Sequence, residues 1–351
     1  MNKMTLIAAW LWFVAAMIFV MVIIGGLTRL TESGLSMVDW RPVTGWLPPL
    51  GSAEWQATFA AYRTSPEYQE INAGMSLSEF KGIFWLEYIH RLWGRLIGLV
   101  FIVPFAFFLV RGWVSWRLAG RLTLMLILGG SQGVLGWYMV QSGLSNEPWV
   151  SPYRLVAHLG LALAVFVLVI WTALDLAEGA RRPKIGMPMA SLIWIFLTVL
   201  SGGAVAGMNA GLTYNTFPMM DGAIIPSQIW DSPTFFANLF EDVRTVQFNH
   251  RAMATCAVIL VLLTWIWRMR SRGRVPYWGH CAAGLVCLQY ALGIATLLSV
   301  VAIPIASSHQ AFGTLLLAAL VGWAHYDGRN RAYASEKGQE LDGMSGNPVA
   351  G

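Results

Sequence analysis

Apolar runs long enough to cross about 30 Å of hydrocarbon recur along the chain near 5–26, 88–110, 118–139, 155–175, 188–208, 248–268, 278–301 and 306–326. Each predicts a membrane-spanning helix, because a segment surrounded by lipid must satisfy its own backbone N–H and C=O groups. The first run is about 20 residues long and lacks an A-x-A cleavage site, so it reads as a retained first span rather than a signal peptide. Two connections are long, about 27–87 and 209–246, and the others are short. Beyond about 333 the chain is polar, rich in Gly and Ser, and without periodicity, the pattern of a disordered tail over 333–351.

Composition narrows the class. With 56% hydrophobic and 12% charged residues, the charged share is roughly half that of a soluble domain. The fold expected is an all-α integral membrane protein of eight transmembrane helices. A net charge of +5 would suggest nucleic acid in a soluble chain, but here the basic residues sit in the short connections. Arg111, Arg117 and Arg121 follow span two, Arg181, Arg182 and Lys184 follow span four, and Arg268, Arg270, Arg272 and Arg274 follow span six. The positive-inside rule makes that side cytoplasmic, and the even span count puts both termini there. The acidic long connections, with Glu32, Asp39, Glu54, Asp221 and Asp242 among others, then face the periplasm across an inner membrane. The expected surroundings are a lipid bilayer and no nucleic acid. All three cysteines, Cys256, Cys281 and Cys287, lie in apolar stretches, which gives no disulfide framework.

The two halves of the chain resemble one another. Span two opens with EYIHRLWGRLIG and span six with QFNHRAMATCAV; span four opens with VAHLGLAL and span eight with SSHQAFGTLLLA. His90 thus matches His250, and His158 matches His309. The ends of spans one and five agree as well, VIIGGLTRL beside VLSGGAVAG. Matching spans run in matching directions, which predicts a parallel repeat of two tandem, pseudo-symmetric four-helix bundles, 1–180 and 181–332.

Four of the six histidines therefore fall in the first turns of spans two, four, six and eight, at one depth on the periplasmic side. Ionisable residues within a bilayer usually face the bundle interior and mark a site, although each histidine taken alone would serve equally as a helix-end hydrogen-bonding group. Two neutral imidazoles on facing helices can clamp a metal axially, and a four-helix bundle can hold a haem edge-on. Zinc competes, but it takes about four ligands and each half offers two histidines. Gly94, Ala254 and Gly313, one turn beyond the ligands, would let a macrocycle approach the backbone or serve ordinary helix contact. Arg91, Arg95 and Arg251 are candidates to pair with haem propionates, while the i, i+4 spacing of Glu87 and Arg91 also allows a local salt bridge. His280 and His325 have no repeat partners and read as interfacial.

One asymmetry suggests chemistry. Glu87, one turn before His90, is replaced by neutral Gln247 before His250. A carboxylate on the histidine's helix face, partly desolvated, could steady developing positive charge or move protons. Catalysis is accordingly assigned to the N-terminal half and an auxiliary haem to the C-terminal half.

Taken together, GGLTRLTESGLSMVDWRPVTGWLPP, EYIHRLWGR and AGLTYNTFPMMDG resemble the haem A synthase family of bacteria and mitochondria, across all eight spans. The resemblance implies an oxidoreductase that converts haem O to haem A, oxidising the porphyrin C8 methyl by successive hydroxylations to a geminal diol that loses water to a formyl group, for use by cytochrome oxidase. It places the family's haem ligands on His90 and His158 for the substrate haem and on His250 and His309 for a haem B, with the essential acid on Glu87. It also implies a haem O synthase as supplier of substrate and an electron donor that no segment identifies; nor does any segment specify a homo-oligomer. Some members carry a cysteine pair in an outer loop, and both long loops here lack one. The rival classes are a dihaem b-type cytochrome linked to quinol, which predicts no altered haem product, and a haem carrier, which predicts one weakly held haem.

Overall fold

Eight helices of the computed structural model are long and apolar enough to cross a membrane. They are α1 (Lys3–Leu30), α4 (Leu77–Val110), α5 (Trp116–Ser145), α6 (Pro152–Glu178), α7 (Met187–Gly207), α9 (Val243–Arg272), α10 (Tyr277–Leu298) and α11 (Ile303–Ser345). Short helices α2 (Ser52–Tyr62) and α3 (Pro66–Glu70) lie in the first long connection, and a 3₁₀ turn Ala210–Leu212 and α8 (Phe235–Phe240) lie in the second. The structure describes residues 2–41, 44–145, 150–179, 183 and 185–345, with the backbone alone for 142–145 and 329–345. Among the described residues there is no strand beyond an isolated bridge, Met220 to Ala223. The protein is an all-α, multi-pass membrane protein.

Helix ends follow local chemistry. Ser76 and Glu79 form a capping box that starts α4 well before its apolar run, so the helix carries an amphipathic extension out of the expected span. Asp242 accepts from the amides of Arg244 and Thr245 to start α9, and Gly273, with φ of +66°, ends it in the left-handed conformation that glycine adopts without penalty. Helix α11 continues to Ser345, through 333–345, where a tail was expected; Ala, Glu, Lys, Gln and Leu in that stretch are good helix formers. Residues 346–351, and the basic positions 181, 182 and 184, lie outside the described residues.

Two sets of four helices each close a ring of neighbours. In the first, α1 packs on α4 and α6, and α5 joins those two; in the second, α7 packs on α9 and α11, and α10 joins those. Contacts between the sets run through α1, α6, α7 and α11, and adjacent glycines shape them. A Cβ on Gly26 of α1 would fall on the amide of Gln310, the residue after His309, which donates to the Val22 carbonyl at 2.9 Å. A Cβ on Gly203 of α7 would meet Leu159, the residue after His158, at 3.0 Å. Each set thus inserts a side chain into a glycine notch of the other, as small residues permit where helices meet in lipid.

The main core joins Leu11 and Val14, Phe101 and Phe105, Leu163 and Val169, Val261, and Leu320 and Trp323. A second cluster, Trp55, Tyr62, Phe80, Phe84 and Tyr88, roofs the extended end of α4; Tyr62 stacks on Phe80 at 5.0 Å and Trp55 meets Phe84 edge-on at 4.9 Å. Each of these aromatics contributes roughly 1.5–3 kcal/mol by leaving water, enough to order a loop.

Candidate active site

All four repeated histidines lie near the long-loop ends of their helices: His90 on α4, His158 on α6, His250 on α9 and His309 on α11. His90 and His158 lie within electrostatic reach of each other, and so do His250 and His309. Each imidazole rests on a glycine of another helix. A Cβ would approach the His90 ring to 3.5 Å from Gly25 (α1), that of His158 to 3.4 Å from Gly136 (α5), that of His250 to 3.0 Å from Gly202 (α7) and that of His309 to 2.9 Å from Gly293 (α10). Helices α5 and α10 carry the same pattern, Gln132-x-x-Leu135-Gly136 and Gln289-x-x-Leu292-Gly293. In both, the glutamine Oε1 is buried without a partner, as is Nδ1 of His158 and of His309. Ser201 Oγ lies 2.8 Å from His250 Nδ1, which leaves Nε2 as the ring nitrogen free for a further partner. Among the described residues no three His, Cys, Asp or Glu side chains cluster as metal ligands.

The loops above the two pairs have opposite hydrogen-bond polarity. Buried Glu87 accepts from Ser36 Oγ and from the Met37 amide, each at 2.7 Å, on Oε2, and from Arg91 at 2.5 Å on Oε1. At the equivalent place Gln247 donates to the carbonyls of Ala210 at 2.9 Å and Thr213 at 2.7 Å, while its Oε1 accepts from Arg251 at 3.1 Å. Only donors face Glu87 from its loop and only acceptors face the Gln247 amide nitrogen. The carboxyl is therefore fixed in place by three donors, the arrangement suited to a fixed electrostatic role.

The three arginines fasten the loops. Arg91 donates to the carbonyls of Met37 and Asp39 and lies 4.9 Å over Trp40; Arg95 donates to the Arg41 carbonyl and lies 5.9 Å over Trp46. Arg251 donates to the carbonyls of Tyr214, Thr216 and Met219, and its Nε is buried without a partner. A groove of about 690 Å³ opens beside the Glu87 loop, with Thr31, Ser33, Asn72, Glu79, Gly82 and Leu86 on its wall. Residues 79, 82 and 86 lie on one stripe of α4 that His90 continues one turn further. In the roof, burial lifts the Glu67 carboxyl to about 8, against the lowering effect of its 3.0 Å hydrogen bond from Tyr62. Burial, and the charge of Glu67 after it, push the Tyr62 hydroxyl upward too.

The sequence profile of the COX15-CtaA family, described as cytochrome oxidase assembly protein, matches residues 8–321. Relatives named heme A synthase are 46% identical over 333 residues in Paramagnetospirillum magneticum, covering 92% of this chain and 93% of that protein, and 49% identical over 321 residues in Parvibaculum lavamentivorans, covering 90% and 92%. A third, from Nitrosospira multiformis, is 45% identical over 339 residues, covering 93% and 94%. The chain belongs to the COX15-CtaA family. In this member the expected ligand histidines come together as two pairs, and the Glu87–Arg91 salt bridge that the spacing allowed is formed.

Some expectations change. Gly94 lies against the methyl of Met21 and Gly313 against the amide of Gln289, so both are filled helix contacts; the glycines beneath the imidazoles are Gly25, Gly136, Gly202 and Gly293. The signal for them was the paired glycines ending spans one and five and the repeated Q-x-x-L-G. His325, read as interfacial, is 1% exposed and lies 3.0 Å from Asp175, which also pairs with Arg121 at 2.6 Å. His280 is exposed and accepts from Trp265.

Proposed function

We propose that this chain is a haem A synthase that oxidises a methyl group of haem O, at C8 of the porphyrin, to the formyl group of haem A. The observation that carries the reading is the pair of matched histidine sites of which one alone has a carboxylate, Glu87, fixed beside a ligand. The residues present fit a haem in each set of four helices: two imidazoles within reach of each other, a glycine beneath each ring, and buried glutamine and imidazole atoms left without partners. The two sets are then tandem halves, 1–180 for substrate and 181–332 for an auxiliary haem B.

When bound between His250 and His309, haem B supplies one-electron redox capacity. His90 and His158 hold the substrate haem, and the groove beside Gly82 and Leu86 gives its farnesyl chain and water a way in. With water as the oxygen source, turning a methyl into a formyl group releases four electrons and four protons, the electrons passing one at a time to an acceptor outside the chain. Glu87, held in place by Arg91, Ser36 and Met37, steadies positive charge developing at the porphyrin edge. The unpartnered Nε of Arg251 remains to meet a propionate, whereas Arg91 and Arg95 act on propionates only alongside their work in the loops. With the basic helix ends on the cytoplasmic side of the inner membrane, both sites face the periplasm. A haem O synthase is the expected source of substrate.

The test is to express the chain with and without a haem O synthase and to identify the extracted haems by chromatography with mass detection. Haem A or its hydroxylated precursor, formed only when haem O is supplied and lost in E87Q, is the expected result. Two equivalents of unmodified haem B under both conditions would make the protein an electron-transfer cytochrome.

A further inference from the structure

At the end of the helices away from the histidines, three arginines converge where no chemistry is assigned. Arg272 ends α9 with Arg268 one turn before it, Arg274 follows the Gly273 cap, and Tyr326 faces them from α11; together they wall a cavity of about 300 Å³. Arg268 is a built element of that wall. Its side chain is 2% exposed, it is paired with Asp327, and its Nε is buried with no partner. Arg274 donates to the Tyr326 hydroxyl at 3.5 Å. With Arg268 paired to Asp327, Arg272 and Arg274 have no acidic partner among the described residues and bring two positive charges to one small concavity. A guanidinium presents a planar fork of donors that matches the oxygens of a phosphate group, and a buried N–H without a partner is costly unless a ligand completes it. The cavity is too small for a porphyrin and of the right order for a phosphate with its ester groups. Along α9 the side chains of Leu263, Ile266 and Trp267 are exposed and apolar, so acyl chains would have a surface to lie on while a head group sat among the arginines.

We propose that Arg268, Arg272, Arg274 and Tyr326 form a binding site for a phosphate oxyanion, at the membrane face opposite the haem sites. Two sources share that chemistry, the head group of an anionic phospholipid and free phosphate. The site stands independently of the enzymatic reading.

The experiment uses the purified full-length protein in detergent, stripped of lipid, with binding read by native mass spectrometry and by thermal unfolding. The probes are phosphatidylglycerol, phosphatidylcholine and inorganic phosphate, each added alone. The variants are R272Q/R274Q, both at exposed positions, and R270Q, on the same helix but outside the cavity wall. One phosphatidylglycerol should be retained per chain, with affinity falling roughly 30-fold in the double variant, taking about 1 kcal/mol for each basic residue, and unchanged in R270Q. Protection by inorganic phosphate at millimolar levels, lost in the same double variant, would support the site and assign it to the free anion. If R270Q weakens phosphatidylglycerol as much as the double variant, the attraction is diffuse surface charge and the proposal fails. It fails equally if no probe binds or if phosphatidylcholine binds as well as phosphatidylglycerol.

Discussion

Around His250 and His309 the neighbouring helices leave no room for a methyl group, with a Cβ on Gly202 or Gly293 falling 3.0 or 2.9 Å from the ring, whereas Gly25 and Gly136 leave 3.5 and 3.4 Å beside His90 and His158. The loops differ as well: an anionic acceptor on the N-terminal side, an amide donor on the C-terminal side. The two halves match in their histidines and differ in what surrounds them. Under the proposed reading the tighter pair belongs to the auxiliary haem and the looser pair to the substrate haem. The charge does not divide in the same way: Glu87 and Arg91 cancel but Arg95 lies one turn beyond, while Arg251 faces neutral Gln247, so each site keeps one positive charge.

The comparison breaks most sharply at Glu87. E87Q should lower turnover of haem O by roughly 10²–10³-fold, the usual cost of removing a fixed group aimed at developing charge, while both haems stay bound. The Gln247–Arg251 contact shows that this fold accommodates a glutamine beside the arginine, so haem content measured spectroscopically serves as the check on folding. S36A removes one hydrogen bond and no charge, and should cost only several-fold. If S36A matched E87Q, anchoring of the loop rather than the charge would be Glu87's role.

The reverse exchange, Q247E, brings a carboxylate up to the carbonyl oxygens of Ala210 and Thr213. One oxygen keeps Arg251, but the oxygen that replaces the amide nitrogen is unsatisfied and repelled, which should cost about 2 kcal/mol, seen as a lower midpoint of thermal unfolding, with no second activity gained. A tolerated Q247E would mean that the loops do not discriminate by polarity.

Adding a methyl beneath the rings probes tightness directly. G202A and G293A force the imidazole to shift and should each cost roughly 1–3 kcal/mol, with a perturbed spectrum of the C-terminal haem. G25A and G136A meet ordinary contact distances and should cost well under about 1 kcal/mol. Equal effects at all four glycines would remove the distinction between a resident and an exchanging site.

How much of this was legible in the sequence follows from which contacts are local. The spans, the histidine repeat and the Glu87–Arg91 spacing all rest on apolar runs or helical periodicity, and the structure reproduces them. The partners of Glu87 on its far side are Ser36 and Met37, about 50 residues earlier, in a loop without periodicity. Likewise His325 reads as interfacial until Asp175, 150 residues away, is brought against it. Helix α4 begins early because Ser76 and Glu79 cap it, a signal lying outside the apolar run used to find the span.

The smallest expected effect concerns the two roofs. Above the N-terminal pair Glu67 is buried among Tyr62, Phe80 and Phe84, whereas the acid of the other roof, Asp242, is spent capping α9. Burial raises the Glu67 carboxyl from an ordinary value near 4.5 to about 8. The folded roof therefore binds this proton more tightly than the unfolded chain does. Between those two values the folded state carries more protons than the unfolded one, so stability declines as pH rises through the window and levels off above about 8. E67Q removes the titration while keeping an acceptor for Tyr62. The unfolding midpoint of the wild type should fall relative to E67Q as pH is raised from 5 to 8, by an amount set by how far water enters the opened roof. Protection of the α2 and α3 amides against hydrogen exchange should fall with it, and protection around α8 should not. A constant difference between wild type and E67Q across that range would show that Glu67 stays ionised in the fold, and would leave the two roofs alike in their response to pH.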